Sequence, residues 1–368
     1  NAPAVLWDLA RGRPTTVLNG HEKAITQVDI NPISGEYITA SLDGSAKIWD
    51  AQQNKIRLTL DGHEKGILDM DIDPTGQFIL TGGYDKTSKL WNFNTGELIR
   101  TFNQEGLYAH VYDVTFNPKK PSQFVTASKG LWLWNVSSTQ PVMQIAERPK
   151  FKEIDFHPTE NAVITLDEYY SIRSYDLVSK KVVKEFAKHN HRGNQPHISS
   201  CTTDFGSISS LTFDLDGKYV IAGLWNGRIA VWDYASTKLV KLIEAHDQGV
   251  YDFHMSPNQN CFVSASEDMT CKLWSLDTFE EIASFTSIGE NGYAITTPQG
   301  YYTTSKDAVD GVSFVKGMTP YGFENFDLIF NRPDKVIEIL GQSSPQLVRS
   351  YKNAYLKRLK KMGFLGLK

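Results

Sequence analysis

Between Gly20 and Leu60 apolar and polar residues alternate in four short runs, at 25–30, 36–41, 46–49 and 56–60. Each run is rich in β-branched or aromatic residues. Period two over such lengths predicts strands with one covered face. "NPISG", "LDG" and "AQQN" lie between the runs, and these residues predict tight connections. The phrase then returns: "GHEKAITQVDINP" at Gly20 becomes "GHEKGILDMDIDP" at Gly62.

A tryptophan closes each unit. Trp7 lies 42 residues before Trp49, Trp91 follows 42 later and Trp134 43 later. Tyr175 stands in 41 residues on, Trp232 comes after 57, and Trp274 after 42. A period in the low forties holding four alternating runs predicts an all-β array of propeller blades. One such sheet cannot cover both of its faces, and stacked sheets can, which is the physical reason for the repetition.

From about residue 4 to 286 the chain resembles the WD-repeat β-propeller family. In that family a buried network ties each blade's first loop to its later strands. The resemblance places His21, Thr39, Asp43 and Trp49 in that network in blade one. It places His63, Thr81, Asp85 and Trp91 there in blade two, and His246, Ser264, Asp268 and Trp274 in blade six. A carboxylate fixing an imidazole, whose other nitrogen meets a hydroxyl that also meets an indole N–H, leaves every polar group satisfied. His, Ser/Thr and Asp also spell a hydrolase triad. Recurrence in several blades argues for structure over catalysis, and no catalytic residue is assigned. Blade three ("VTASKGLWLWN") lacks the aspartate. Blade four replaces tryptophan by Tyr175, and blade five has Ala222 and Asn226 at the hydroxyl and carboxylate positions, so packing is expected to hold those three.

The chain opens on the last two strands of a blade, "AVLWDL" and "TTVLN". "NGYAITTP" and "GYYTTSK" read as two further strands near the other end. Pairing the two sets predicts a composite seventh blade with no exposed sheet edge. The alternative is that Asn1 is a cut point in a longer protein. The expected organisation is a propeller over 1–305 and an extension with short strands and two helices over 306–368.

WD-repeat proteins usually meet partners at the rim near the start of each first strand and just before the network aspartate. Those positions hold Thr26, Leu68, His110, Tyr112, Lys150, Lys152 and Tyr251, together with Leu42, Tyr84, Glu168, Trp225 and Glu267. Aromatic residues stand out among them, and aromatics are the usual anchors of interfaces. A protein or peptide partner at this rim is therefore expected.

Composition changes the picture little. A net charge of −4 recruits no nucleic acid globally. No apolar run approaches the roughly 20 residues of a membrane helix. Three cysteines, Cys201, Cys261 and Cys271, do not build a disulfide framework. The 57-residue spacing marks an inserted loop at 188–205 holding His189, His191, His197 and Cys201. Its irregular spacing and its Gly and Pro favour a contact loop over a zinc site. No cofactor or metal is expected. Location is open, with cytoplasm favoured and export possible for a fragment.

Beyond Ser305 the repeat stops. "GVSFVKG" and "TPYGFENFDLIF" read as strand-like or irregular. "NRPDKVIEILG" predicts a short helix with Pro333 near its start and Gly341 past its end. Ser344 and Pro345 open a second helix, which Gly363 stops, with Leu347, Val348, Tyr351, Ala354, Tyr355 and Leu359 on one stripe. Residues 345–368 contain no acid, while Arg349, Lys352, Lys357, Arg358, Lys360 and Lys361 crowd the polar face. "YYTTSK", "FDLIFNRPDKVIEILG" and "YKNAYLKRLKKMGF" resemble the junction of bacterial proteins in which WD repeats precede a caspase-like cysteine peptidase. That resemblance implies a peptidase after Lys368, and none within this chain. The expected function is a non-catalytic recognition scaffold, possible alternatives being a propeller-type hydrolase and a nucleic-acid or membrane binder acting through the basic helix.

Overall fold

The structure, a computed structural model, describes residues 4–104, 110–187, 206–257, 260–289, 292–311, 313–316, 319–322 and 327–362. The chain divides into two compact units, one of Asn1–Ala4 with Leu18–Ala245, the other of Val5–Val17 with His246–Lys368.

The first unit is five four-stranded antiparallel sheets, each a meander in chain order. Blade one is Ile25–Ile30, Tyr37–Ser41, Ser45–Asp50 and Lys55–Asp61. Blade two is Ile67–Ile72, Phe78–Gly83, Thr87–Asn92 and Leu98–Asn103, and blade three Asp113–Phe116, Gln123–Ala127, Leu131–Asn135 and Met143–Ala146. Blade four is Phe151–Phe156, Ala162–Asp167, Ile172–Asp176 and Lys181–Ala187, and blade five Ile208–Phe213, Tyr219–Leu224, Arg228–Asp233 and Leu239–Glu244. First strands of successive blades are neighbours.

Each apolar core belongs to two blades. Ile38, Ala40, Ile48 and Leu60 of blade one pack with Ile67, Met70, Ile79 and Trp91 of blade two. Leu80, Leu90 and Phe102 of blade two pack with Val114, Phe116, Phe124 and Trp134 of blade three. The pattern recurs between blades three and four and between four and five. Trp91 and Trp134 are almost wholly covered, and removing such a ring costs about 3–5 kcal/mol. No sheet covers its own large residues, so the repeat is the stability unit.

The second unit carries the sixth blade, Val250–Met255, Cys261–Ser266, Thr270–Ser275 and Glu281–Ile288. Here the expectation of a seventh blade fails. Gly292–Thr296 pairs with Glu281–Ile288, Tyr302–Thr304 pairs with Gly292–Thr296, and the sixth sheet becomes six-stranded. Ala4–Asp8 and Arg13–Leu18 form a separate two-stranded sheet. The described residues therefore make six blades. The reason is loop closure. The last strand of blade six runs on to Ile288, which pairs with Gly292 of its neighbour only four residues on, and Gly289 leaves the strand at a φ of 64°. Joining strands nearly the whole chain apart costs more entropy. The N-terminal pair packs by its side chains instead, with Trp7 edge-on to Phe285 at 5.4 Å and to Tyr293 at 5.8 Å.

Three helices follow: α1 (Asp327–Phe330), α2 (Pro333–Leu340) and α3 (Pro345–Lys361). α1 lies in the stretch "TPYGFENFDLIF" that reads as strand-like or irregular. Pro333 opens α2 and Gly341 ends it at a φ of 71°. The Ser344 hydroxyl accepts from the Leu347 N–H and caps α3. Val336 and Leu340 of α2 join the core of blade six beside Phe285 and Ile295.

Candidate interaction surface

Loops can present a fixed surface only if something holds them, and three buried networks do. In blade one His21 Nδ1 lies 2.9 Å from Asp43 Oδ2 and Nε2 lies 2.8 Å from Thr39 Oγ1, while Trp49 Nε1 donates to that same oxygen at 2.9 Å. In blade two the distances are 2.8 Å from His63 to Asp85, 2.7 Å to Thr81, and 3.0 Å from Trp91 to Thr81. In blade six they are 2.9 Å from His246 to Asp268, 2.7 Å to Ser264, and 2.8 Å from Trp274 to Ser264. The indole occupies the hydroxyl as acceptor, so the hydroxyl proton goes to Nε2. Nδ1–H then donates to the carboxylate. Each carboxylate also accepts the backbone N–H after its histidine, from Glu22, Glu64 and Asp247 respectively. Burial pushes the Asp85 and Asp268 carboxyls up, but hydrogen bonds from His63 and Thr87, and from Thr270 and His246, outweigh it and hold both at about 2. Asp43 is lowered in the same way, with Ser45 the strongest donor. Thr39, Thr81 and Ser264 are fully covered, so none of these hydroxyls can meet a substrate.

Blades three and four use different chemistry at the same place. In blade three Gln104 replaces histidine, its Nε2 donating to Thr126 Oγ1 at 3.2 Å beside Trp134 Nε1 at 3.0 Å. In blade four Asp167 accepts from the N–H groups of Tyr169 and Ser171 and pairs with Arg173 at 2.9 Å. At the other end of that blade's first strand, in the turn where blade one has Asn31, His157 takes the N–H groups of Thr159 and Glu160 on Nδ1, which leaves Nε2–H to the Gly217 carbonyl at 3.0 Å. Burial lowers the His157 pKa, in keeping with the neutral ring this bonding requires.

A second set of contacts joins the blades and was not singled out in the sequence. Asp69 accepts from Val114 N at 2.9 Å, Asp71 from Phe116 N at 2.6 Å, Asp113 from Ile154 N at 2.6 Å and Asp155 from Phe213 N at 2.8 Å. Each carboxylate on one first strand thus holds the first strand of the next blade. Burial, then the charge of Asp29, pushes Asp71 well above the usual range. Burial, then Asp69 and Glu153, does the same to Asp113. Burial takes Asp155 to about 6. Part of the signal was the recurring "VDINP", "DIDP" and "IDFHP" of blades one, two and four, which holds Asp71 and Asp155 but not Asp69 or Asp113.

On this frame most of the rim positions of the first unit come together. Tyr84, 39% exposed, meets His110 edge-on at 5.2 Å, and His110 meets Tyr112 at 6.0 Å. The Lys150 amine sits 4.0 Å over the Tyr112 ring, and Lys152 sits 4.6 Å over Tyr170. Glu168 accepts the Lys150 N–H at 3.3 Å. Burial, then the charge of Lys150, lowers the Lys152 pKa. Thr26 is turned to the next blade, its hydroxyl on the Ile67 carbonyl at 3.1 Å. Leu42 and Leu68 are half-buried. Trp225 is 48% exposed in its turn. Tyr251 and Glu267 belong to the second unit and are exposed. Sequence reasoning missed Tyr169 and Tyr170, although "DEYYS" displays them.

The histidine-rich loop at 188–205, with Cys201, lies outside the described residues. Cys261 is buried and Cys271 exposed, both as free thiols. Among the described residues no cluster of His, Cys, Asp and Glu could hold a metal ion, and no helix is long and apolar enough to cross a membrane. The "NRPD" turn is a hub. Arg332 donates twice to Asp334, at 2.9 and 2.8 Å, and lies 4.2 Å over Tyr355 of α3. Arg358 bonds the Asn331 carbonyl at 3.0 Å and pairs with Asp327 at 3.2 Å.

These features define a largely all-β repeat fold with a short helical region, and the repeats are WD repeats. Segments 12–50, 54–92, 195–233 and 237–275 match the family described as "WD domain, G-beta repeat". Blades three and four are the ones left unmatched, while blade five, which has Ala222 and Asn226 in place of the hydroxyl and carboxylate, still matches. Among curated proteins the chain is 24% identical over 179 residues to "Eukaryotic translation initiation factor 3 subunit I" of Saccharomyces cerevisiae, covering 47% of this chain and 51% of that protein. It is 32% identical to the Danio rerio protein of the same name over 25% of this chain and 28% of that one. It is 26% identical to "Set1 complex component swd1" of Schizosaccharomyces pombe over 22% and 20%. The chain spans about half the length of the first of these relatives. None of these names denotes an enzyme, and the repeats mark a protein-interaction scaffold.

Proposed function

We propose that this chain is a non-catalytic scaffold that binds a protein or peptide through the row Tyr84, His110, Tyr112, Lys150 and Lys152, with Trp225 as a further anchor. The row itself carries the reading. Rings in edge contact, the last of them under the Lys150 amine, with Lys152 over the nearby Tyr170, form a surface whose side chains are already ordered, so a partner meets little entropic cost. Aromatic anchors with cation–π support are the composition of interface hot spots. Relatives named as a factor subunit and a complex component support a place in a multi-protein assembly.

The test is capture from native extract by the wild type, by Tyr84→Ala with Lys150→Glu, and by Val178→Ala as an exposed control. Loss of the same partner from the first variant alone is expected. Identical capture by all three refutes the surface. Robust hydrolysis of generic ester or peptide substrates, abolished by a rim substitution, overturns the scaffold reading itself.

A second reading rests on the "NRPD" hub and the basic helix beyond it. On this reading the chain is the recognition propeller of a longer protein with a caspase-like peptidase after Lys368. Sequencing the natural coding region past Lys368 tests it, and absence of a His and Cys pair in an α/β pattern removes it.

A further inference from the structure

We propose that the groove between α2 and α3 binds a short amphipathic helix of another protein, one with aliphatic anchors and an acidic flank. The groove encloses about 640 Å³ and lies wholly within the second unit. Ile337, Val348 and Leu356 supply its aliphatic lining, and Arg349, Lys352 and Asn353 stand along it. Leu356 is 49% exposed, a large apolar side chain left in water between lysines.

Charge selects the occupant. The acids of α2 are already engaged, Asp334 by Arg332 and Glu338 by Lys335 at 2.8 Å. On α3 only Arg358 has an ion-pair partner among the described residues. Arg349 and Lys352 on its lining are left to face outward, and with Lys335 against Asp334 and Glu338 the groove presents net positive charge. From Val348 to Leu356 the axis rises about 12 Å, two turns of helix. That length fits a partner helix presenting anchors at i, i+4 and i+7. A lipid surface would need the apolar stripe of α3, yet Leu347, Tyr351, Tyr355 and Leu359 are half-buried on their own unit. An RNA strand has no use for aliphatic walls.

The experiment is fluorescence anisotropy on the whole chain. The probe is a labelled helix-forming peptide with leucines at i, i+4 and i+7 and glutamates beside them. Its counterpart has lysines in place of the glutamates. Single-stranded oligouridine and phosphatidylserine vesicles complete the set. The acidic peptide should bind at least about tenfold more tightly than the lysine peptide. Arg349→Glu with Lys352→Glu should reverse that order, and Leu356→Asp should weaken both peptides. All three substituted side chains are exposed, and circular dichroism checks that α3 persists. Equal affinity for the two peptides, an unchanged preference after charge reversal, or tighter binding of the oligonucleotide or the vesicles overturns the proposal.

Discussion

Replacing Asp85 with alanine removes four hydrogen bonds at once. The carboxylate accepts from His63 Nδ1 at 2.8 Å, Glu64 N at 3.1 Å, Thr87 N at 3.1 Å and Thr87 Oγ1 at 2.8 Å. Their fates differ. Glu64 is exposed and Thr87 half-exposed, so water can replace much of what they lose. The His63 side chain is fully covered and its Nδ1–H has no such recourse. Stranding a buried donor costs about 1–3 kcal/mol, and losing bonds to a charged acceptor adds about 1–2. Thr87 Oγ1, already 3.4 Å from Nδ1, can recover a part. The sum is a loss of about 3 kcal/mol, or, at about 2.1 cal/mol/K of unfolding entropy per residue over 368 residues, a fall of about 4 °C in Tm. Differential scanning calorimetry reads it directly. A double-mutant cycle with His63→Leu should show coupling, because the leucine leaves no donor to strand. The folded carboxyl titrates near 2, below its unfolded value near 4. Its contribution is therefore present above pH 4 and lost as pH falls towards 2. A Tm within about 1 °C of wild type, or strictly additive single substitutions, would refute the network as a stabilising unit.

Three further outcomes are expected. Gln104→Ala deprives Thr126 of one donor in blade three and should cost about 1 kcal/mol, read as a lower urea midpoint with an unchanged slope. Asp155→Asn keeps the acceptor for Phe213 N but removes the charge. Asp155 is raised to about 6 when folded, so its favourable contribution is full below pH 4 and disappears as pH rises through 6. The Tm of the variant relative to wild type should therefore rise with pH between 4 and 8, and parallel profiles would contradict the burial of that carboxylate. Gly217→Ala places a Cβ in the His157 ring at a φ of 72° and should cost about 2–3 kcal/mol; unchanged thermal unfolding would show that the ring moves freely.

The three histidine networks were legible because chemistry recurs at fixed spacing. His63, Thr81, Asp85 and Trp91 repeat the intervals of His21, Thr39, Asp43 and Trp49. Gln104 was not legible, because a hydrogen bond is chosen by donor geometry and the residue type had changed. Asp71, Asp113 and Asp155 sit on strands where an alternating pattern assigns charge to solvent, yet the covering comes from the neighbouring blade, 41 to 58 residues away. The missing seventh blade reflects the same limit, since strand content was readable and strand partner was not. The caps of α2 and α3 were readable because Pro333, Gly341 and Ser344 act on their immediate neighbours. α1 was not, because four residues, Asp327 and three apolar ones, are too few to show a period.

The aspartates that reach from sheet to sheet have a consequence for how such arrays can be rearranged. If blades cohered by oil-like packing alone, their order along the chain would be nearly arbitrary, and shuffling them would be a cheap route to new proteins. Here the order is written into polar chemistry. Exchanging blades three and four would set Thr115, which has no carboxylate, against the Phe213 amide that Asp155 now occupies. The tile would fit by shape and leave a buried N–H unanswered.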